Sequence, residues 1–539
     1  MKQSILSIFL LALMTSTAKA QTCNCEELTG ELSSMTIDND HCWELDGCVT
    51  IPNNVTVDIE EGTKIFTRAG SGLSVERGGK LNVNGTSANP VIFTPKLIAN
   101  RTYGYWEGIA IAGRAPNNTG GDITSPTGCP VQGGGNVSND NSGSITYMQL
   151  HCSVDGLMLI SVGTGTTIDN VQVTHTVKNA FSFLGGTVAA KHLASFNATR
   201  NDFLATQGYI GKMQFLFGFR KDVNAYDATN NSYGFYASND ALGSTNSPYT
   251  QPIISNFTTL GPLYCNGSAN GALLNGIRVD RRAAASFYNS VVTEWPDYAY
   301  FIDGGNTIAQ TDADILNYSF NSTYQNGTGG AQDYGESGSW TTNGCTFTNM
   351  GAWLALDPMY ACTEDGNQYD AAISTLGYDN TSICGGSANP DFSLDLVTTD
   401  LDPASFSPSD LSSGFTSVGY RGAFGSTDWT DDWTNWAPLT TAYCESGLRK
   451  ASDESGQLRL VPNPAHMQTA AVFTLKTAGV ATISVVNNIN GKTLFTRTTE
   501  MLSAGEHNVP FDVSMLRTGT YIVRVTTSTE VMQQHLMID

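Results

Sequence analysis

Basic side chains are scarce in this chain, 27 Lys and Arg against 49 Asp and Glu in 539 residues, so chemistry is first sought where they gather beside a carboxylate. Two clusters stand out: Lys212 with Arg220, Lys221 and Asp222, and Arg278 with Asp280, Arg281 and Arg282. Cleaving a polysaccharide needs either paired carboxylates or acidic calcium ligands with an Arg or Lys base nearby. In a strand, Arg278, Asp280 and Arg282 project to one face as a cation, carboxylate, cation row. A salt-bridged ladder shielding stacked strands is the stronger reading of the same residues. Trp429, Trp433 and Trp436 offer an aromatic platform for sugar rings, but indoles more often cover a core, and here they suit the last coil of a stack. Seven His are scattered, with His151, His175 and His192 in strand-like runs where a structural imidazole is the stronger reading. No nucleophile elbow, metalloprotease helix, P-loop or dinucleotide fingerprint is present. No cofactor is expected, and calcium has no motif to support it.

The elements that would hold these residues follow from a repeat. Between residues 51 and 444 the chain is a series of short apolar-alternating runs broken by Gly, Asn and Asp, with almost no helical period. Segment 168–186 aligns with 190–208 at an offset of 22, placing Asn179 on Asn201, Phe181 on Phe203 and Gly186 on Gly208. A repeat of this length with short strands and no helix predicts a parallel β-helix, in which only the stack buries a core. Asn170, Asn256, Asn289, Asn317 and Asn343 open similar phrases, so either an asparagine ladder runs along one corner or Asn simply marks turns. Wider spacings imply inserted loops, among them 112–143 and 226–252. A β-sandwich array is the rival fold.

Residues 1–20 carry one Lys, an apolar run from Ile5 to Met14 and a small-residue end, the pattern of a secretory signal peptide cleaved between Ala20 and Gln21. No transmembrane span is expected in the mature chain, since no later window holds about 20 apolar residues. The full chain's net charge of −22 makes nucleic acid an unsuitable partner. Eleven cysteines in an exported chain are disulfide candidates. Cys23, Cys25, Cys42 and Cys48 lie close enough to staple an N-terminal cap over 21–50; a zinc site is the weaker alternative. The odd count leaves a thiol over.

After a polar linker at 445–456, residues 457–539 are near neutral, six Lys and Arg against five Asp and Glu, with alternating strands that predict a small antiparallel β-sandwich. The whole chain is therefore read as all-β, a right-handed parallel β-helix followed by that sandwich. Within the module, Pro462-Asn463-Pro464, Gly491-Lys492, Gly505 and Leu516 through Gly519 and Tyr521 occur in order. These motifs resemble the type A C-terminal sorting domain of the type IX secretion system of Bacteroidetes. The resemblance implies outer-membrane export, handling by the type IX machinery and its sorting peptidase, removal of the module, and anchoring to surface lipopolysaccharide. The middle resembles exported bacterial β-helix proteins through Val75-Glu76-Arg77-Gly78-Gly79-Lys80, Gly185-Gly186-Thr187-Val188 and Gly422-Ala423-Phe424-Gly425, which implies a fold and assigns no catalytic residue. The expected function is a secreted or cell-surface passenger with a non-catalytic role in adhesion or glycan binding. The alternatives are a carbohydrate-active lyase or hydrolase using the two clusters, and a structural coat or filament subunit.

Overall fold

A computed structural model describes residues 25–443 and 458–538, apart from 228, 328–331, 339, 341–348, 355–365, 370–372, 386, 462, 464, 476, 488–492, 518 and 528–530. The chain divides into two compact units, Met1–Cys444 and Glu445–Asp539.

Among the described residues of the first unit, a sheet of 25 strands carries parallel pairing from coil to coil. One stack runs through Gly143–His151, Thr167–Thr174, Ala190–Phe196, Lys212–Phe219 and Ile253–Leu260. A second runs through Leu157–Val162, Phe181–Gly186, Asn201–Thr206, Tyr233–Ser238, Ile277–Asp280, Tyr300–Asp303 and Tyr334–Ser337. The repeat read from the sequence is the coil. Phe181 pairs with Phe203 and stacks on it at 5.2 Å, and Asn201 Nδ2 donates to Asn179 Oδ1 at 2.8 Å across an offset of 22. Each coil alone leaves its apolar row open; the neighbour covers it, so Val173, Leu193, Phe203, Leu216, Phe235 and Phe257 share one continuous core.

The strands turn at left-handed corners. Tyr147, Asn170, His192, Phe215, Asn256 and Asn289 hold positive φ between 48° and 57°. Asn tolerates this conformation best, which explains why asparagine phrases mark three of these corners in the sequence. The ladder expectation holds in modified form. Gln214 Nε2 donates to Asn256 Oδ1 at 3.1 Å from the next coil, but Asn256 Nδ2 and Asn289 Nδ2 also donate outward to the carbonyls of Tyr420 and Ser405. Asn317 is not at such a corner, which falls on Phe320 instead, and Asn343 lies outside the described residues.

Residues 26–51, the N-terminal segment, contribute strands to the stack. Glu26–Glu31 pairs in parallel with Trp43–Ile51. Cys25 bonds Cys42, but Cys48 reaches to Cys129, and Cys265 bonds Cys384. Cys152 is a buried free thiol; Cys23, Cys345, Cys362 and Cys444 lie outside the described residues.

The tryptophans also sit elsewhere than expected. They lie on the flank of the stack, where Trp436 packs on Phe196, Phe217 and Phe219, and Trp433 on Tyr147. Their burial, 1% exposure for Trp433 and 7% for Trp436, removes both indoles as a sugar platform.

The second unit holds two antiparallel sheets of three and four strands over one apolar cluster that includes Phe473, Ile483, Val523 and Leu536.

Candidate functional site

An open cleft of about 780 Å³ on the first unit is lined by Asn53, Glu76, Arg77, Arg114, Gln132 and Asn136 among others. One wall is the turn after the strand Gly72–Val75. The other is the insertion between Gly108–Ala112 and Gly143–His151, which folds back over the stack as a short antiparallel pair, Ile123–Thr124 with Gln132–Gly133. This insertion is a fixed wall for two reasons. The Cys48–Cys129 disulfide ties it to the first coils, and Ile123 and Val131 bury themselves against Ala110, Met158, Ile160 and Leu184.

Two guanidinium groups enter the cleft from opposite walls. Arg77 Nη1 donates to Asp122 Oδ1 at 2.8 Å and to the Gly134 carbonyl at 3.2 Å, bridging turn and insertion. Arg114 Nη2 donates to Asn53 Oδ1 at 3.0 Å, a neutral partner. That bond passes directly over Gly78, where φ is +86° and an added Cβ would stand 2.1 Å from Arg114 Nη2. A side chain there would hold an unfavourable φ and push the Arg114 and Asn53 side chains apart. Replacing Gly78 by Ala is expected to keep the coils folded and to break the Arg114–Asn53 bond, seen as a shifted Arg114 side chain in a crystal structure of the variant. The sequence reading quoted Glu76, Arg77 and Gly78 only as a phrase of resemblance and passed over Arg114. The signal available was Cys129 together with two of the few basic residues, all flanking one insertion.

The two sequence-derived clusters do not meet in one site. Lys212 and Arg220 stand at opposite ends of one strand and its exit. Lys212 Nζ donates to the Ser413 carbonyl at 2.7 Å. Arg220 is fully buried, paired through Nε with Asp202 at 3.0 Å, and Asp222 caps its own turn by accepting from Asn224 N at 2.9 Å. Arg278 lies over the rings of Tyr233 and Phe301 and contacts Asp280 and Asp303, while Asp280 accepts from Tyr236 Oη at 3.0 Å. Burial pushes the Asp280 carboxyl upward from its ordinary value. Arg282 is not in this row. The strand ends at Asp280, and Arg281 and Arg282 both take positive φ, so Arg282 Nε turns to the Gly243 carbonyl. Among the described residues, no group of three His, Cys, Asp or Glu side chains is placed to hold a metal ion.

A family model described as "Pectate-lyase like beta helix domain" matches residues 29–352, more than half of the chain. The chain belongs to this β-helix family. The match spans both cleft walls and both basic clusters. A second model, "Secretion system C-terminal sorting domain", matches residues 459–539. The β-helix protein is therefore exported as a type IX secretion substrate, to the cell surface or the medium, and is handled by that machinery. No curated protein matches the chain. No helix among the described residues is long and apolar enough to cross a membrane.

In the sorting domain, Asn463 Oδ1 accepts from Met537 N at 2.8 Å and Tyr521 Oη donates to the Arg517 carbonyl at 2.8 Å. Gly505 and Gly519 open the strands Gly505–Asp512 and Gly519–Thr526, and Leu516 packs on the core. Pro462, Pro464, Gly491 and Lys492, like Ala20 and Gln21, lie outside the described residues.

Proposed function

We propose that the β-helix is a non-catalytic surface passenger that binds glycan in the cleft between the Glu76–Lys80 turn and the 113–142 insertion. The observation that carries this is the pairing of a rigid wall with Arg114, bonded to a neutral amide, and a lining rich in amide, hydroxyl and charged groups. Such groups recognise a polyhydroxylated ligand through convergent hydrogen bonds. The turn that follows strand Tyr233–Ser238 supports the insertion, because Asn118 Nδ2 donates to the Asn239 side chain at 2.9 Å.

A glycan array probed with the exported protein, followed by titration of the best ligand, tests this reading. Arg114→Ala is expected to weaken binding roughly tenfold or more, the size of one hydrogen bond to a charged group. Glycan binding that is unchanged in Arg114→Ala and in a variant with the insertion trimmed removes the cleft from the function.

A carbohydrate-active reading has one observation in its favour: Arg278 joins Asp280 to Asp303 on the neighbouring strand, with Asp280 partly desolvated. Cleavage of a polysaccharide that disappears in Asp280→Asn would move the assignment there.

A further inference from the structure

The flank carries a second feature, separate from the cleft. Residues 404–419 form a compact loop whose ends meet: Ala404 N donates to the Gly419 carbonyl at 3.4 Å, and Arg421 Nε to the Pro403 carbonyl at 3.3 Å. The neck is fixed, because Arg421 also donates to the Asn321 and Gly366 carbonyls and residues 421–425 are buried. Within 403–420, by contrast, Leu411 is the only buried residue. A loop with a fixed neck and a lightly buried body lifts by giving up hydrogen bonds and little apolar packing.

Beneath it lies a column in register. Lys191 pairs with Gln214, Gln214 with Ser255, and Ser255 with Tyr288 on successive coils, with Lys212 two residues before Gln214 on the same face. These groups read the loop as a peptide. Gln214 accepts from Thr416 N and donates to the Thr416 carbonyl, both at 2.7 Å. Lys212 Nζ takes the carbonyl and hydroxyl of Ser413 at 2.7 and 3.2 Å, and Lys191 Nζ the Thr416 hydroxyl at 3.2 Å. The Asp410 carboxylate accepts from Tyr288 Oη at 2.7 Å.

We propose that loop 404–419 is a hinged cover over a peptide-binding column, and that the ligand which replaces it is an extended, acidic, Ser/Thr-rich segment of a partner protein. The two-point amide contact of Gln214 with one residue's N–H and C=O selects a polypeptide backbone. The two lysines, in a chain of strong negative charge, select an acidic one. The covering loop is itself Ser/Thr-rich, with Asp410 as its one carboxylate, so it competes with the partner, and affinity is set by how firmly the cover is held.

The test uses the full chain and a labelled synthetic peptide of sequence 404–419. The wild type is expected to bind it weakly. Asp410→Ala, which removes the bond from Tyr288 to the cover and leaves Gln214 and the two lysines in place, is expected to raise affinity roughly tenfold and to speed hydrogen exchange within 404–419 alone. Adding Gln214→Ala to that variant is expected to abolish the gain, whereas adding Arg114→Ala leaves it intact and so separates this site from the glycan cleft. Failure of Asp410→Ala to bind the peptide more tightly, a gain that survives Gln214→Ala, or displacement of the peptide by alginate more readily than by unlabelled peptide would each overturn the assignment. The last outcome would give the column to a polysaccharide.

Discussion

Arg220→Met is expected to destabilise the β-helix by about 3–5 kcal/mol at pH 7, the usual cost of removing one member of a buried ion pair. Arg220 and Asp202 are both fully buried. Asp202 accepts from Ser195 Oγ at 2.5 Å and faces the guanidinium; Arg220 Nη2 satisfies the carbonyls of Arg200 and Tyr233 at 3.1 and 3.3 Å. Without the guanidinium, the carboxylate has one hydroxyl donor and no counter-charge, and two buried carbonyls lose a donor. Burial already pushes the Asp202 carboxyl upward, and Arg220 is the main opposing influence. The variant should therefore take up a proton there, and its deficit should shrink as pH is lowered from 7 to 5. The double variant Asp202→Asn/Arg220→Met, which removes both charges, should recover much of the loss. Urea unfolding of the three proteins measures this, and a single-variant cost below about 1 kcal/mol would show that the pair does not hold the corner.

This pair also shows where sequence reading succeeds and where it stops. The coil was legible because stacking repeats a physical demand: Phe181 and Phe203 must fill the same layer in adjacent turns, and Asn179 and Asn201 must satisfy the same backbone corner. Arg220 stands out in the sequence because basic residues are scarce. Its partner, Asp202, lies 18 residues upstream on the previous coil, and only the stack brings it there. Arg282 misled for the opposite reason, because alternation assumes the strand continues, and two left-handed residues end it at Asp280. The cleft was illegible because its walls come from non-adjacent segments joined by Cys48–Cys129, a pairing that spacing does not specify. The flank loop was hidden similarly: its hydrogen bonds join Gln214 to Thr416, residues 202 apart with no shared pattern.

Acidification should expose a second weak corner, at His175. Its ring is buried, packed edge-on against Tyr103 and Phe196, and its Nδ1 has no hydrogen-bond partner. Burial lowers its pKa from 6.5 to about 4. Below pH 6.5 the unfolded chain binds a proton that the folded chain refuses, so stability contributed by the neutral ring is present above that pH and is lost as pH falls toward 4. The loss amounts to about 3 kcal/mol over this window. His151, pushed down by burial and then by His175 and Arg101, acts with the same sign. Asp428 acts with the opposite sign: burial raises it to about 6, so it favours the folded chain at low pH and ceases to do so as pH rises through 6. The net slope therefore understates the histidine contribution, and a variant is needed to isolate it. His175→Asn serves, because His175 holds a φ of 56° that Asn tolerates, and Asn197 occupies the equivalent corner of the next coil with a φ of 53°. The variant should be less stable at pH 7 through lost ring packing, yet lose about 3 kcal/mol less than the wild type between pH 6.5 and 4. Parallel stability curves for the two proteins would place the acid sensitivity outside this corner.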